Sequence, residues 1–379
     1  MPDRPSVLLL RGHASNPWEL RPWELLADRY DVSYLRTQRT WFDTDGIDLV
    51  ARPVRALRDM LPAGRVGDLA CRLPGDRYLQ AARALVGADI VHAQELGTWY
   101  AMQAARLKPR LGHKLVLTAW ETIPFRDTYR NVRTRPYRKR VLAAGDLFLA
   151  ATERAAACLR LEGVEQDRIA VCPPGIDVAR FAAAAATPPP AAEGHLVLSA
   201  GRLVWEKGHQ DVLRAVAALR GGLAGPARDD VRVLVVGDGP ERARLRAYAA
   251  DLGIADRVEL RGAVAYEAMP AIYARAGCMV LASIPTVHWE EQFGMVLAEA
   301  IAAGLPIVAS TCGAIFEVAG PQASYVAPGD WLGLARALGA VLSETAPAKR
   351  IAYPPERLRG LDLDAAADRL AAAYAGLLA

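Results

Sequence analysis

Lysine is scarce in this chain: 5 of its 379 residues, against 41 arginines. Cysteine is as rare, also 5, scattered and with no CxxC spacing. An odd, dispersed set argues against a disulfide scaffold and a structural zinc site and points to a reducing compartment, so a cytoplasmic location is expected. Long apolar runs are missing as well, and none approaches the ~20 residues that span a bilayer. The opening Met1-Pro2-Asp3-Arg4 and Val7-Leu8-Leu9-Leu10 are too short for a signal peptide and read as the approach to a first buried strand. Aromatic residues make up only 7% and do not interleave with the basic stretches, which speaks against nucleic acid as a partner. What remains is 52% apolar and 23% charged, the balance of a soluble globular enzyme, with a length that suggests two or three domains.

The net charge of +4 is unevenly placed: residues 1–180 hold 28 basic against 21 acidic residues, and the remainder holds 18 against 21. Arg130, Arg133, Arg135, Arg138, Lys139 and Arg140 are the densest basic stretch. It reads either as a solvated helix face or as a surface for anionic membrane or an acidic acceptor. Short β-rich runs alternate with Ala/Leu/Arg-rich helical stretches in both halves, the pattern of parallel α/β sheets. Six strands are expected before residue 173, beginning with Val7–Arg11, and six after residue 195, beginning with Leu196–Ala200. Between them AAAAATPPPAAE is the only low-complexity segment, and its three prolines suit a surface linker. The expected division is therefore a Rossmann-like domain over 1–181, a linker over 182–194, a second Rossmann-like domain over 195–360, and a final helix over 361–379 able to dock back on the first. Two such doubly wound domains would present the carboxyl ends of their strands to a cleft.

The stretch EQFGMVLAE places Glu291 and Glu299 eight positions apart across the start of an apolar helix. Gly304 followed by Pro306 is a helix stop, which predicts a helix over 294–303. Glu299 then lies inside an apolar helix, where a carboxylate is costly unless something meets it. Glu291 stands just ahead of the helix, where free N–H groups and the dipole attract anions. Eight helical steps span ~12 Å, roughly a sugar-diphosphate-ribose unit, so the strip suits a nucleotide sugar. Upstream, GRLVWEKG runs from Gly201 to Gly208 after the strand that opens the second half. A lysine at 207, in a chain that otherwise prefers arginine, indicates a compact, rotatable point charge. With Arg202 it would neutralise a departing diphosphate. GDGP at 237–240 lacks the third glycine of a dinucleotide fingerprint and reads as a tight turn into a helix.

GRLVWEKG, VVGDGPE, the Glu291–Glu299 strip, AAGLPIVAS and GAIFEV at 313–318 occur in the order seen in retaining glycosyltransferases of the GT-B fold, the large group 1 family (glycosyltransferase family 4), which this chain resembles over most of its length. ADIVHAQE at 88–95 and PPGID at 173–177 extend the likeness more loosely into the first half. The resemblance implies a cytoplasmic enzyme, at the inner face of the membrane if its acceptor is lipid-linked. It would move a sugar from a nucleoside diphosphate sugar to a hydroxyl with retention, in polysaccharide or glycolipid synthesis. It implies Arg202 and Lys207 on the diphosphate, Gly201 in the same loop, Glu299 on the ribose hydroxyls and Glu291 facing the transferred sugar. The amides of Phe293, Gly294 and Met295 would lie over phosphate and sugar. No cofactor and no metal is implied; Asp43-Thr44-Asp45 resembles a metal-binding DxD but has no apolar strand before it.

Family members often carry a histidine and an acid in the first domain's loop where this chain has Trp120-Glu121. A catalytic histidine is thus not carried over, and Trp120 and Glu121 stand either as sugar- or acceptor-facing groups or as a strand-closing pair. His13 either lines the acceptor site or shapes a turn, and His92 reads as a core histidine. A carboxylate nucleophile for double displacement is not apparent, so a front-face mechanism is expected, in which the departing phosphate draws the acceptor proton. On this reading both Arg202→Ala and Lys207→Ala cut turnover with modest loss of stability. The alternatives are a GT-B-fold epimerase or phosphorylase, and a non-catalytic sugar-nucleotide-binding partner.

Overall fold

The computed structural model describes residues 4–62, 64–71, 75–126, 135–186, 195–344 and 350–379. The chain divides into two compact units, Met1–Gly175 with Leu363–Ala379, and Ile176–Asp362. Each is built on a parallel sheet.

The first unit's sheet has seven strands in the order β3-β2-β1-β4-β5-β6-β7. They are β1 Ser6–Leu10, β2 Asp31–Arg36, β3 Val50–Pro53, β4 Ile90–Gln94, β5 Lys114–Ala119, β6 Leu147–Ala150 and β7 Ile169–Val171. β1, β4 and β5 lie in the middle and are almost wholly buried, which is why they read as continuous apolar runs rather than alternating ones. Six of the seven were legible for that reason. β3 was not: Val-Ala-Arg-Pro at the sheet edge is mostly exposed and carries no apolar pattern. The helices are α1 Pro17–Glu24, α2 Arg65–Cys71, α3 Ala81–Leu85, α4 Trp99–Leu111, α5 Arg135–Ala144 and α6 Glu153–Leu161. One face of the sheet is covered by α3, α4 and α6 through Leu85, Met102 and Leu159. The other face packs Leu9, Val32 and Val116 against Trp23 of α1 and Leu370 and Tyr374 from near the carboxyl end.

The second unit's sheet has six strands in the order β10-β9-β8-β11-β12-β13. They are β8 His195–Ala200, β9 Val231–Val236, β10 Val258–Arg261, β11 Cys278–Leu281, β12 Ile307–Ser310 and β13 Ser324–Val326. The six expected there are all present, to within one residue at either end. Its helices are α7 Val178–Ala185, α8 His209–Arg220, α9 Arg242–Asp251, α10 Met269–Arg275, α11 Met295–Ala302, α12 Ile315–Ala319, α13 Trp331–Glu344 and α14 Pro355–Leu361. The largest core cluster joins β8, β9 and β11 to α8 and α13 through Val197, Val233, Val280, Val216 and Leu338.

The linker is the main correction. Ala182–Ala185 do not begin a surface connection; they end α7, whose buried Phe181 packs edge-on to Tyr273 of the second unit. The run of alanines favours helix, and the division between units falls before it, at Gly175. Residues 187–194 lie outside those described. The last helix, α15 Leu363–Leu378, belongs to the first unit.

Candidate functional site

In an open α/β sheet, ligands bind outside the carboxyl ends of the strands where the strand order reverses. In the second unit that place is between β8 and β11. The loop after β8 carries Arg202 and Lys207, and the loop after β11 carries Glu291, so the two candidate segments converge there.

Lys207 closes a short 3-10 turn, Trp205–Lys207, and Gly208 follows at φ +70°. That left-handed step turns the chain directly into α8. A Cβ there would sit 1.9 Å from the Ala282 carbonyl oxygen, so only glycine lets the loop lie this close to the end of β11. Lys207 Nζ donates to Glu291 Oε2 at 2.7 Å, with the side chains only 13% and 7% exposed. Ser283 Oγ donates to the same oxygen at 2.9 Å, and Ser310 Oγ holds the Ser283 carbonyl at 2.6 Å. The Glu291 carbonyl accepts from Ala314 N–H at 2.8 Å. The ammonium also lies 5.0 Å from the centroid of the Trp289 ring. The carboxylate is thus pinned from the ends of β11 and β12, and its bonds fall on Oε2. Sequence reasoning gave Lys207 and Glu291 separate tasks; the structure makes them one buried ion pair.

Arg202 occupies the same loop with an exposed side chain. Its backbone is fixed by a residue the sequence reading passed over. His209 Nδ1 lies 2.8 Å from Ser199 Oγ and Nε2 lies 3.1 Å from the Arg202 carbonyl. Burial lowers this imidazole's pKa to about 4, so it is neutral near pH 7. A carbonyl can only accept, so the proton sits on Nε2 and Ser199 donates to Nδ1. The signal was there: a histidine directly after GRLVWEKG, at the first position of a helix. The GDGP turn braces the same loop by backbone alone, with Leu203 N–H to the Asp238 carbonyl at 2.8 Å and Glu241 N–H to the Leu203 carbonyl at 3.0 Å.

α11 starts where expected. Gly294 is its N-cap at φ +81°, and no acidic side chain occupies the first turn. The Leu297 amide bonds back to the Gly294 carbonyl at 2.8 Å, and the amides of Met295 and Val296, ahead of it, stand at the positive end of the helix dipole. Gly201 and Met295 are partly buried and Phe293 is fully buried. Glu299 is buried on α11, and the group that meets it is Tyr273, whose hydroxyl donates to Oε2 at 2.6 Å. Burial raises the Glu299 carboxyl to about 7, opposed by that hydrogen bond and by Arg180.

The first unit's candidates fare less evenly. His13 is buried between two carboxylates, with Nδ1 2.5 Å from Asp76 and Nε2 3.5 Å from Asp59. It forms part of a turn, Gly12–Ala14, anchored by Tyr78 Oη accepting from Gly12 N–H at 3.0 Å. His92 is a core histidine between Tyr374 Oη at 2.6 Å and Thr118 Oγ1 at 2.7 Å. Glu121 is buried; its Oε1 accepts from the Thr122 and Ile123 amides at 3.1 and 3.0 Å, and its Oε2 meets Arg126 at 2.5 Å. A carboxylate so engaged ties down its own loop. Glu95, which sequence reasoning left unassigned, stands after β4 at that sheet's strand-order reversal. It has φ +63°, accepts from Trp120 N–H at 2.9 Å, and burial raises its carboxyl to about 7. Asp43 caps the Asp45 amide at 2.9 Å in a local turn. Among the described residues no His, Cys, Asp or Glu group is arranged to hold a metal, and no helix is long and apolar enough to cross a membrane. Of the basic stretch, Arg130 and Arg133 lie outside the described residues, and Arg138 is not a surface charge. It is buried, pairing with both oxygens of Glu162 at 2.6 Å.

Two Rossmann-like units of this kind define the GT-B fold. The architecture is shared with the structure of Anabaena HepE in complex with UDP, with a TM-score of 0.75 at 16% identity over 98% of this chain and all of that one. The two halves match two family descriptions: Glycosyltransferase Family 4 over residues 23–180, and Glycosyl transferases group 1 over residues 185–354. The chain belongs to the group 1 glycosyltransferase family. Among curated relatives, it is 33% identical to the 2-deoxystreptamine glucosyltransferase of Streptomyces kanamyceticus over 52% of this chain and 51% of that enzyme. It is 30% identical to the D-inositol 3-phosphate glycosyltransferase of Salinispora tropica over 77% of this chain and 64% of that one. The matched region thus spans between half and two thirds of these relatives' own length.

Proposed function

We propose that this protein transfers a sugar, a hexose in the simplest case, from a nucleoside diphosphate sugar to a hydroxyl acceptor, with retention of configuration. The observation that carries the proposal is the buried Lys207–Glu291 pair at the strand-order reversal of the second sheet, beside the amino-terminal end of α11. Lys207 uses one of its three N–H donors on Glu291, which leaves two for diphosphate oxygens. Arg202, exposed in the same loop, adds a second cation. The α11 amides add oriented donors that require no reorganisation as charge develops. Glu291 Oε1, which accepts no hydrogen bond from the described residues, faces the sugar hydroxyls. Glu299 takes the ribose hydroxyls in its ionised form. As the bond from the sugar to the diphosphate breaks, the acceptor oxygen bonds to the same face and its proton passes to the departing phosphate oxygen. Glu291 is tied to Lys207, which suits it to bind the sugar and not to attack it.

The relatives act on sugars by name, and HepE is seen with UDP, which supports a nucleotide donor here. A lipid-linked or phosphorylated acceptor, synthesis of a surface polysaccharide or glycolipid, and attachment to the inner membrane face belong to the same reading. A thermal-shift screen with UDP-, GDP-, ADP- and TDP-sugars tests it. One base should raise the melting temperature, since a ligand at a hundred times its Kd adds about 2.7 kcal/mol of stability. Absence of a shift with every donor counts against the proposal. Conversion of the sugar without an acceptor would instead select the epimerase alternative.

A further inference from the structure

The first unit holds a pocket of about 700 Å³ at the carboxyl ends of β2 and β3, lined by none of the candidate site residues. Three arginines line it, Arg52, Arg55 and Arg83, and none of the lining residues is acidic. These three make no ion pair with a described residue. Asp59, next to Met60 in sequence, is engaged elsewhere: it accepts from the backbone amides of Ala56, Arg39 and Gln38 at 2.8, 3.0 and 3.3 Å. Three guanidinium groups brought together without a counter-charge repel one another, an arrangement that is stable only at modest cost in solvent and is relieved by an anion. Apart from Gln38 and Gln80, the rest of the wall is apolar. Met60 and Leu79 line it while remaining 67% and 42% exposed, and Val54 forms the floor. Guanidinium forks match phosphate oxygens, and exposed Met and Leu beside them match hydrocarbon.

We infer that this pocket binds a phosphate ester carried on an apolar body, with Arg52, Arg55 and Arg83 on the phosphate and Met60, Leu79 and Val54 on the hydrocarbon. Calling that ligand the acceptor rests on the transferase reading; the binding itself does not. The ligand has two sources, a membrane lipid headgroup or a soluble phosphate ester, and the chemistry of recognition is the same for both.

Calorimetric titration of the whole chain with hexyl phosphate, inorganic phosphate and hexanol tests the inference. Hexyl phosphate should bind at least fivefold more tightly than inorganic phosphate, and hexanol should not bind. Arg52→Ala with Arg83→Ala should weaken hexyl phosphate at least tenfold, and Leu79→Ser should remove its advantage over inorganic phosphate. Equal affinity for the two phosphates, or binding by the double variant as tight as by wild type, overturns the inference. Sedimentation with vesicles of phosphatidic acid in phosphatidylcholine, lost in the double variant, assigns the lipid source. Hexyl phosphate binding without such sedimentation assigns the soluble one. Slow hydrolysis of the sugar nucleotide should be unchanged in the double variant. Its absence from wild type would overturn the transferase reading and leave the titration result standing.

Discussion

At the scale of single residues, two cations that look equivalent in sequence are embedded differently. Arg202 is exposed, so Arg202→Ala should leave stability within ~0.5 kcal/mol of wild type while turnover falls steeply. Lys207→Ala strands the Glu291 carboxylate against Ser283 alone, and removing one partner of a buried pair costs about 3 kcal/mol. Denaturant melts should separate the two variants, and Lys207→Ala combined with Glu291→Gln should recover part of the loss. An equal, small effect from both single variants would contradict the ion-pair account and restore the simpler expectation from sequence. Glu299 makes a second prediction. Its carboxyl titrates near 4.5 when unfolded and at about 7 when folded. The folded state holds the proton more tightly, so this stability is fully present below pH 4.5 and is lost as pH rises through 7. The full swing is roughly 3 kcal/mol as an upper figure. Wild type should therefore weaken between pH 5 and 8 more than Glu299→Gln, which keeps an acceptor for Tyr273. A parallel pH dependence in the two proteins would remove Glu299 as the source.

At the scale of elements, the site is made by turns that only certain residues permit. Gly208 brings Lys207 against β11, and Gly208→Ala places a Cβ 1.9 Å from the Ala282 carbonyl. The loop must then move, so the variant should lose several-fold in donor affinity as well as at least ~1 kcal/mol of stability; titration with nucleoside diphosphate measures the first. Unchanged affinity would mean that the close approach is incidental. The elements were the part of this protein most legible in sequence. Buried parallel strands announce themselves as apolar runs, and α11 was bounded to within a residue by Gly294 and Gly304. What was hidden follows from the same physics. β3 is an exposed edge strand without a pattern, and a run of alanines before prolines reads as linker until Phe181 is seen buried beneath it. The pairing of Lys207 with Glu291, 84 positions apart in sequence, and the neutral His209 behind Arg202 are tertiary facts with no periodic signal. Glu121 looked available because sequence cannot show a carboxylate bending back onto its own loop.

At the scale of the whole molecule, the carboxyl-terminal helix α15 completes the first unit although 187 residues of the second intervene. Tyr374 is fully buried and its hydroxyl joins Trp23 Nε1 at 2.8 Å to His92 Nδ1 at 2.6 Å. Tyr374→Phe should cost about 1–3 kcal/mol, since it leaves two buried polar groups without a partner. The loss should appear in the unfolding transition of the first unit and not in that of the second. A shared shift of both transitions would show that the helix stabilises more than the unit it joins. In the second unit, the role proposed for Arg202 and Lys207 is to release a nucleoside diphosphate from a sugar donor. Phosphorus NMR of the purified chain with UDP-, GDP-, ADP- and TDP-glucose measures that release directly. The prediction is slow formation of one nucleoside diphosphate by wild type, lost in Arg202→Ala and in Lys207→Ala. Release by both variants at the wild-type rate would contradict it.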